Sequence, residues 1–211
     1  MKKLLGILVL GLLFSLYTSV QVLSSPKNYL EGKFFSSVKN YFLVSTKEMT
    51  DPRFKNTVII MLENDENGAW GLVINKPLAL VPLSSLIYLP SDATIKQKKL
   101  YNVKIPIYWG GPVNENKILV LHSQEYNNET TINYKNISIS SGYKILFDIA
   151  DNKGPKKKLV IVGISSWGKG QLEGEMEREG WTLSEINLNL IFEMDNAEKW
   201  LNAIKNSFIR L

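Results

Sequence analysis

No cysteine occurs anywhere in the chain, and histidine occurs once. These absences exclude thiolate catalysis, disulfides, zinc fingers and iron–sulfur sites, all of which need thiolate or clustered imidazole ligands. A carboxylate-only site for calcium or magnesium stays open. A chain without thiols survives equally well on either side of a membrane, so the usual redox clue to compartment is missing as well. Strong charge is lacking too. The net charge is only +5, and Lys2 and Lys3 of that total fall in a segment that reads as a targeting signal, so charge does not argue for nucleic acid. The densest basic stretch, Lys153 with Lys156, Lys157 and Lys158, sits beside Gly154-Pro155 and reads first as a solvated turn before a strand. A phosphate or anionic-lipid patch is its alternative reading. No repeat of fixed period or low-complexity tract is present, which excludes solenoids and disordered tails.

What is there begins with an address. Lys2-Lys3 precede an apolar run over residues 4–16, and residues 17–25 turn more polar and end in small side chains. This is the pattern of a signal peptide, with Val22 and Ser24 fitting cleavage after Ser24. No charge interrupts the chain before Lys27, so residues 4–23 are also long enough for an uncleaved anchor. Either way the lysines stay inside and the remainder faces the periplasm or stays at the cell membrane. Residues 1–25 are therefore set apart, residues 26–40 read as a linker with Phe34-Phe35 docking on the domain, and residues 41–211 form one domain.

Within that domain the apolar runs at 41–44, 57–62, 71–74, 105–109, 117–122 and 159–164 read as strands. Asn67-Gly68 is a hairpin turn signal. Residues 80–89, flanked by Pro82 and Pro90, suit a short helix, and residues 127–136 a loop. Residues 137–139 suit a short strand, and 144–150 fit helix or strand. Residues 171–179 read as a helix stopped by Gly180. Asp195 with Glu198 resembles a capping box opening a last helix, with Ala197, Trp200, Leu201, Ile204 and Phe208 on its buried stripe. Hairpins mixed with helices, without regular alternation, favour α+β.

Three ordered blocks stand out: Asp51-Pro52-Arg53-Phe54 followed by Ile74-Asn75-Lys76-Pro77-Leu78; then Gly110-Gly111-Pro112-Val113; then Trp167-Gly168-Lys169-Gly170-Gln171-Leu172-Glu173. Their order and spacing resemble the bacterial AlgH/YqgE family over residues 41–208. The resemblance implies an α+β fold whose bifurcated, mostly antiparallel sheet curls into a pseudo-barrel with helices packed outside. It carries a transcription-regulator label and implies no agreed catalytic residues.

The residues themselves suggest several sites. The run from Gly163 to Lys169 matches G-x-x-x-x-G-K between a strand and a helix, but Gly170 stands where a phosphate loop needs Ser or Thr for magnesium. Anion binding at that helix start stays open. Ser165 and Ser166 lack the second glycine of a nucleophile elbow. His122 is the one possible imidazole base, and a strand-end histidine satisfied by a backbone partner is its bland reading. Asp51, Glu63 and Asp65 are candidate converging carboxylates, with turn formation as the simpler role for the two aspartates. A cleft uniting Asn75, Lys76, His122, Ser165, Ser166, Trp167, Lys169 and Gln171 would make a ligand or partner site, with Trp167 and Trp181 as aromatic anchors. The reading that results is a non-enzymatic binding or regulatory module, exported or membrane-anchored, with no cofactor or metal. It contacts an unidentified protein or a small anionic ligand. The alternatives are an enzyme using His122 with Ser165 or Ser166, and a cytosolic transcriptional regulator.

Overall fold

The computed structural model describes residues 37–89 and 91–207. The targeting segment with Ser24, the Phe34-Phe35 pair and Phe208 lie outside the described residues. Among the described residues, no helix is long and apolar enough to cross a membrane.

The elements run β1 (Tyr41–Ser45), β2 (Val58–Asp65), β3 (Gly68–Val73), β4 (Pro77–Pro82), α1 (Ile95–Leu100), β5 (Lys104–Trp109), β6 (Val113–His122), β7 (Ile132–Asn133), β8 (Ser138–Ser141), α2 (Tyr143–Ala150), β9 (Lys158–Gly168), α3 (Gln171–Glu177), β10 (Trp181–Glu185), α4 (Leu188–Phe192) and α5 (Asn196–Lys205). The strands form one mostly antiparallel sheet, curled into a half-barrel, in the order β10-β1-β2-β3-β9-β6-β8-β7. β5 lies parallel to β9, and β4 lies antiparallel to β5.

The sheet forks at β9. Its first half pairs β5 through Val160, Ile161 and Val162, whereas its last four residues, Ser165 to Gly168, pair β3. At the split the chain runs through Gly110-Gly111, against Gly163. A Cβ on Gly110 would fall onto the carbonyl oxygen of Gly163, and one on Gly163 onto that of Gly111. Only glycine allows this approach, and Gly111 and Gly163 also carry positive φ of 144° and 75°. The Gly110 carbonyl accepts from the Val73 amide at 3.1 Å and from the Ser165 hydroxyl at 2.9 Å, which ties both branches together.

Both faces of the curl are covered, which explains why the central strands read as continuous apolar runs. Phe42, Val44, Ile60 and Leu72 point inward, meeting Leu121, Ile139 and Ile161 from the other branch and Leu190, Ile191 and Ala203 from α4 and α5. Leu43, Ile59, Met61 and Val73 point to the opposite face, where Leu172 and Met176 of α3 pack with Trp167 and Trp181. The outer face of the second branch is sealed by Ile145 and Leu146 of α2.

Several expectations need correcting. Residues 80–89 are not a helix: β4 takes Leu80 and Val81 into register with Pro106 and Ile105, and only a single 3-10 turn at Leu83–Ser85 follows. Strand pairing overrides a local pattern that carries no helical period. The segment left open at 144–150 is helix α2, and the loop at 127–136 contains the two-residue β7. The strand expected at 117–122 begins at Val113, with an irregular register between Val113 and Ile118. The left-handed residue ending α3 is Glu179, φ 59°, one place before Gly180. On α5 the most buried positions are Lys199 and Ala203, while Leu201 is 60% exposed. Asp195 caps this helix through one bond to the Ala197 amide, at 2.9 Å, rather than through a reciprocal box.

Candidate functional site

The link between β1 and β2 folds into a tight loop. Asp51 accepts the Arg53 amide at 2.9 Å and grips the same residue's guanidinium through Nε at 3.1 Å and Nη2 at 2.6 Å. This pairing holds the Asp51 carboxyl below its usual range. Asn75 and Lys76 brace the loop from beneath. Asn75 accepts the Val58 amide at 2.9 Å and donates to the Asn56 carbonyl at 2.8 Å. The Lys76 ammonium donates to the Arg53 carbonyl at 2.6 Å and lies 5.8 Å from the Trp109 ring centroid. Burial lowers its pKa. The Asn-Lys-Pro motif is therefore a brace that sets where Asp51, Arg53 and Phe54 stand.

Opposite this loop lies α3. The carboxylate of Glu175 accepts the indole N–H of Trp167 at 3.0 Å and that of Trp181 at 2.8 Å on Oε2. Its Oε1 accepts the Gln171 amide at 3.1 Å. Phe54 completes the aromatic group, with ring centroids 5.5 Å from Trp109 and 5.6 Å from Trp181. Between loop and helix is a cleft of about 290 Å³, walled by Arg53, Phe54, Ser166, Trp167, Gln171 and Glu175. Met49, Pro112 and Arg178 also reach it, so all three sequence blocks meet here. Larger hollows exist among the described residues. One of about 450 Å³ opens between the entry to β1 and residues 134–137, and one of about 390 Å³ lies along β3 and β9. Size alone does not make either the better site, because neither unites the loop with the helix.

The structure gathers only part of the expected constellation. Ser166, Trp167 and Gln171 line the cleft, and Lys76 and Asn75 support its far wall. Lys169 is exposed in the turn before α3. His122 is elsewhere. Its strand position faces Lys158, seven residues before Ser165 on β9, which is about 23 Å of extended chain. The ring is fully buried, its Nδ1 2.8 Å from the Ser123 carbonyl and its Nε2 2.9 Å from Ser140 Oγ. Burial lowers its pKa. The Ser165 hydroxyl is spent on the Gly110 carbonyl. No imidazole–serine pair forms with Ser165 or Ser166, so the hydrolase arrangement is overturned.

The phosphate-loop reading fails for a different reason. The run from Gly163 to Gly168 is strand, not loop: Ile164 pairs Val113 of β6, Ser165 to Gly168 are in register with β3, and the Gly168 amide that ends it donates to Gln171 Oε1 at 3.2 Å. The basic stretch is a turn, with Lys153 paired to Asp151, Lys157 paired to Glu193 and Lys158 donating to the Pro155 carbonyl. Asp51 and Asp65 form turns, and Glu63 accepts the Trp70 indole at 2.7 Å, so the three do not converge. Among the described residues no group of histidine, aspartate and glutamate side chains is arranged to hold a metal.

Sequence reasoning missed Glu175 and Arg178 as lining residues. The signal was available, since Gln171 and Glu175 are four apart and share one helix face.

The AlgH-like family model matches residues 42–211. A UPF0301 protein of Rickettsia canadensis is 35% identical over 179 residues, covering 84% of this chain and 92% of its own length. A UPF0301 protein of Pseudomonas putida is 34% identical over 164 residues, covering 78% and 85%. The solution structure of the AlgH protein from Pseudomonas aeruginosa superposes with a TM-score of 0.67 at 30% identity, over 81% of this chain and 89% of that one. A protein of Corynebacterium diphtheriae, with a TM-score of 0.59 at 15% identity over 79% and 85%, shares the fold. Matched across the domain by sequence and by fold, the chain belongs to the AlgH-like family.

Proposed function

We propose that the protein is a non-enzymatic binding or regulatory module, exported or membrane-anchored, whose contact surface is the cleft between residues 48–54 and α3. One observation carries this reading: segments far apart in sequence, Asp51 to Phe54, Pro112, and Ser166 to Glu175, wall a single hollow. Two carboxylates of that hollow set its walls: Asp51 holds Arg53, and Glu175 holds two indoles and an amide. A preorganised wall of this kind suits recognition, because fixed side chains lose little freedom on binding. Among the described residues lining it, no nucleophile–base pair is formed. The basic and apolar pattern of residues 2–16 supports delivery across or into the cytoplasmic membrane.

Delivery is tested by cell fractionation with intact-mass analysis of the native protein. The expected species is either soluble in the periplasm and beginning near Ser25, or full-length in the membrane fraction. Full-length protein in the cytosol would overturn delivery and bring forward a cytosolic regulator. Contact at the cleft is tested by a photo-reactive side chain at the exposed Ser166, which is expected to capture a partner.

A further inference from the structure

The charge inside the cleft indicates the chemistry of what enters it. Glu48, Asp51 and Glu175 face Arg53 and Arg178, so the lining is net negative. Arg53 is taken by Asp51 in a two-pronged pair. Arg178 is an exposed side chain at the rim. Glu175 differs from both. It is half-buried, and its carboxylate is held by three neutral N–H donors from Trp167, Trp181 and Gln171. Among the described residues no lysine, arginine or histidine lies within ion-pair distance of it. An ionised carboxylate offers about four lone-pair sites. Three are taken here, and among the described residues Glu175 forms no ion pair, although Arg178, three residues on, lines the same cleft. Beside it stand the rings of Phe54 and Trp167, whose centroids are 6.4 Å apart. Aromatic faces attract cations through the ring quadrupole, and this chain already places Arg53 over Phe54 at 5.9 Å.

We propose that the cleft takes a protonated amine or guanidinium, donating to the remaining lone pair of Glu175 with its carbon body against Phe54 and Trp167. This rests on the cleft being the binding surface and reverses the small anion expected at the start of α3. A half-buried carboxylate held in place by three donors and free of any ion pair gains more from a cation than an exposed rim arginine gains from an anion, because charge-assisted hydrogen bonds strengthen as water is excluded. The cation is either a free polyamine or a lysine or arginine side chain of a partner protein. Each presents positively charged N–H donors.

The test is a titration of the full isotope-labelled protein, read at the indole N–H signals of Trp167 and Trp181. Propylammonium and methylguanidinium are the cationic probes; acetate and inorganic phosphate are the anionic ones. The cations are expected to move both indole signals saturably. Glu175→Gln, of the same shape and still an acceptor for the indoles, is expected to weaken binding about tenfold or more, the equivalent of one charged hydrogen bond. Ser166→Lys places an amine at the exposed rim and is expected to compete with the probes, so the test survives if the glutamine variant folds poorly. Tighter binding of spermidine than of a capped Gly-Lys-Gly peptide identifies the free polyamine; the reverse identifies a partner side chain. Saturable indole shifts with acetate or phosphate and none with the cations would overturn the proposal and leave the cleft as a binding surface. Cation binding unchanged by both variants would overturn it too. Indoles unmoved by every probe would overturn the proposal, and saturable shifts confined to other regions would overturn the cleft as well.

Discussion

Lys199 and His122 are buried titratable side chains that serve the fold rather than the cleft. Lys199, 2% exposed on α5, sends its ammonium to the carbonyls of Ile74 at 3.2 Å and Ile191 at 2.8 Å. It thereby joins the last helix to the end of β3 and to α4. Desolvation lowers its pKa from 10.5 to about 8. Between these values the unfolded chain holds a proton that the folded chain has released, so stability rises with pH across that window. Urea midpoints measured from pH 7.5 to 10.5 are expected to show this rise, and Lys199→Met is expected to flatten it. His122 works on the acid side. Its pKa is lowered by burial from 6.5, so below that value the unfolded chain takes up the proton first and stability falls. His122→Gln is expected to lose part of this acid sensitivity, read as a smaller drop in melting temperature between pH 7 and 5. A strand-end histidine satisfied by a backbone partner was the commoner reading of the sequence, with a catalytic base as its alternative. Its position after an apolar strand was compatible with both roles, and only the placement of Ser140 and the Ser123 carbonyl decides between them.

Among the elements, those with a one-sided local cause were legible. β2 and β9 are β-branched runs buried on both faces, and α3 and α5 carry caps or stops that sequence displays. Those that depend on distant partners were not. β10 alternates Thr182 and Ser184 with Trp181 and Leu183, and reads as half-polar; yet all four are buried, because β1 pairs along it and α5 packs over it. β4 exposes Leu78 and Leu80 and exists through its pairing with β5. Helices α1 and α4, of six and five residues, are too short to display a helical period. The fork shows the same dependence. Gly110-Gly111 stood out as a motif, but that they face Gly163 was invisible until β9 was seen to serve both branches. Gly110→Ala puts a methyl group against the Gly163 carbonyl and the Ile161 side chain. The expected loss is about 3 kcal/mol, the upper part of the range for overpacking, measured by urea unfolding.

At the scale of the whole molecule, the fork brings the cleft together. β3 leaves the junction toward the Asn75–Lys76 brace, and the end of β9 carries Ser166 and Trp167 to the start of α3. The loop after β1 and the helix after β9 then face each other across about 290 Å³. Half of this site was visible as motif, in Trp167, Gln171 and the Asp-Pro-Arg-Phe turn. The convergence was not, since it follows from sheet order. His122 was grouped with them by chemistry and lies on the other branch. The most direct measurement of the central claim is photo-crosslinking in growing cells from Ser166 in the cleft, compared with Tyr88, which is 89% exposed and outside it. A discrete adduct from Ser166, absent from Tyr88 and lost on Glu175→Gln, is the expected result. Adducts of equal yield from both positions, or no adduct from Ser166 together with indole signals unmoved by every cationic and anionic probe, would contradict the cleft as the contact surface.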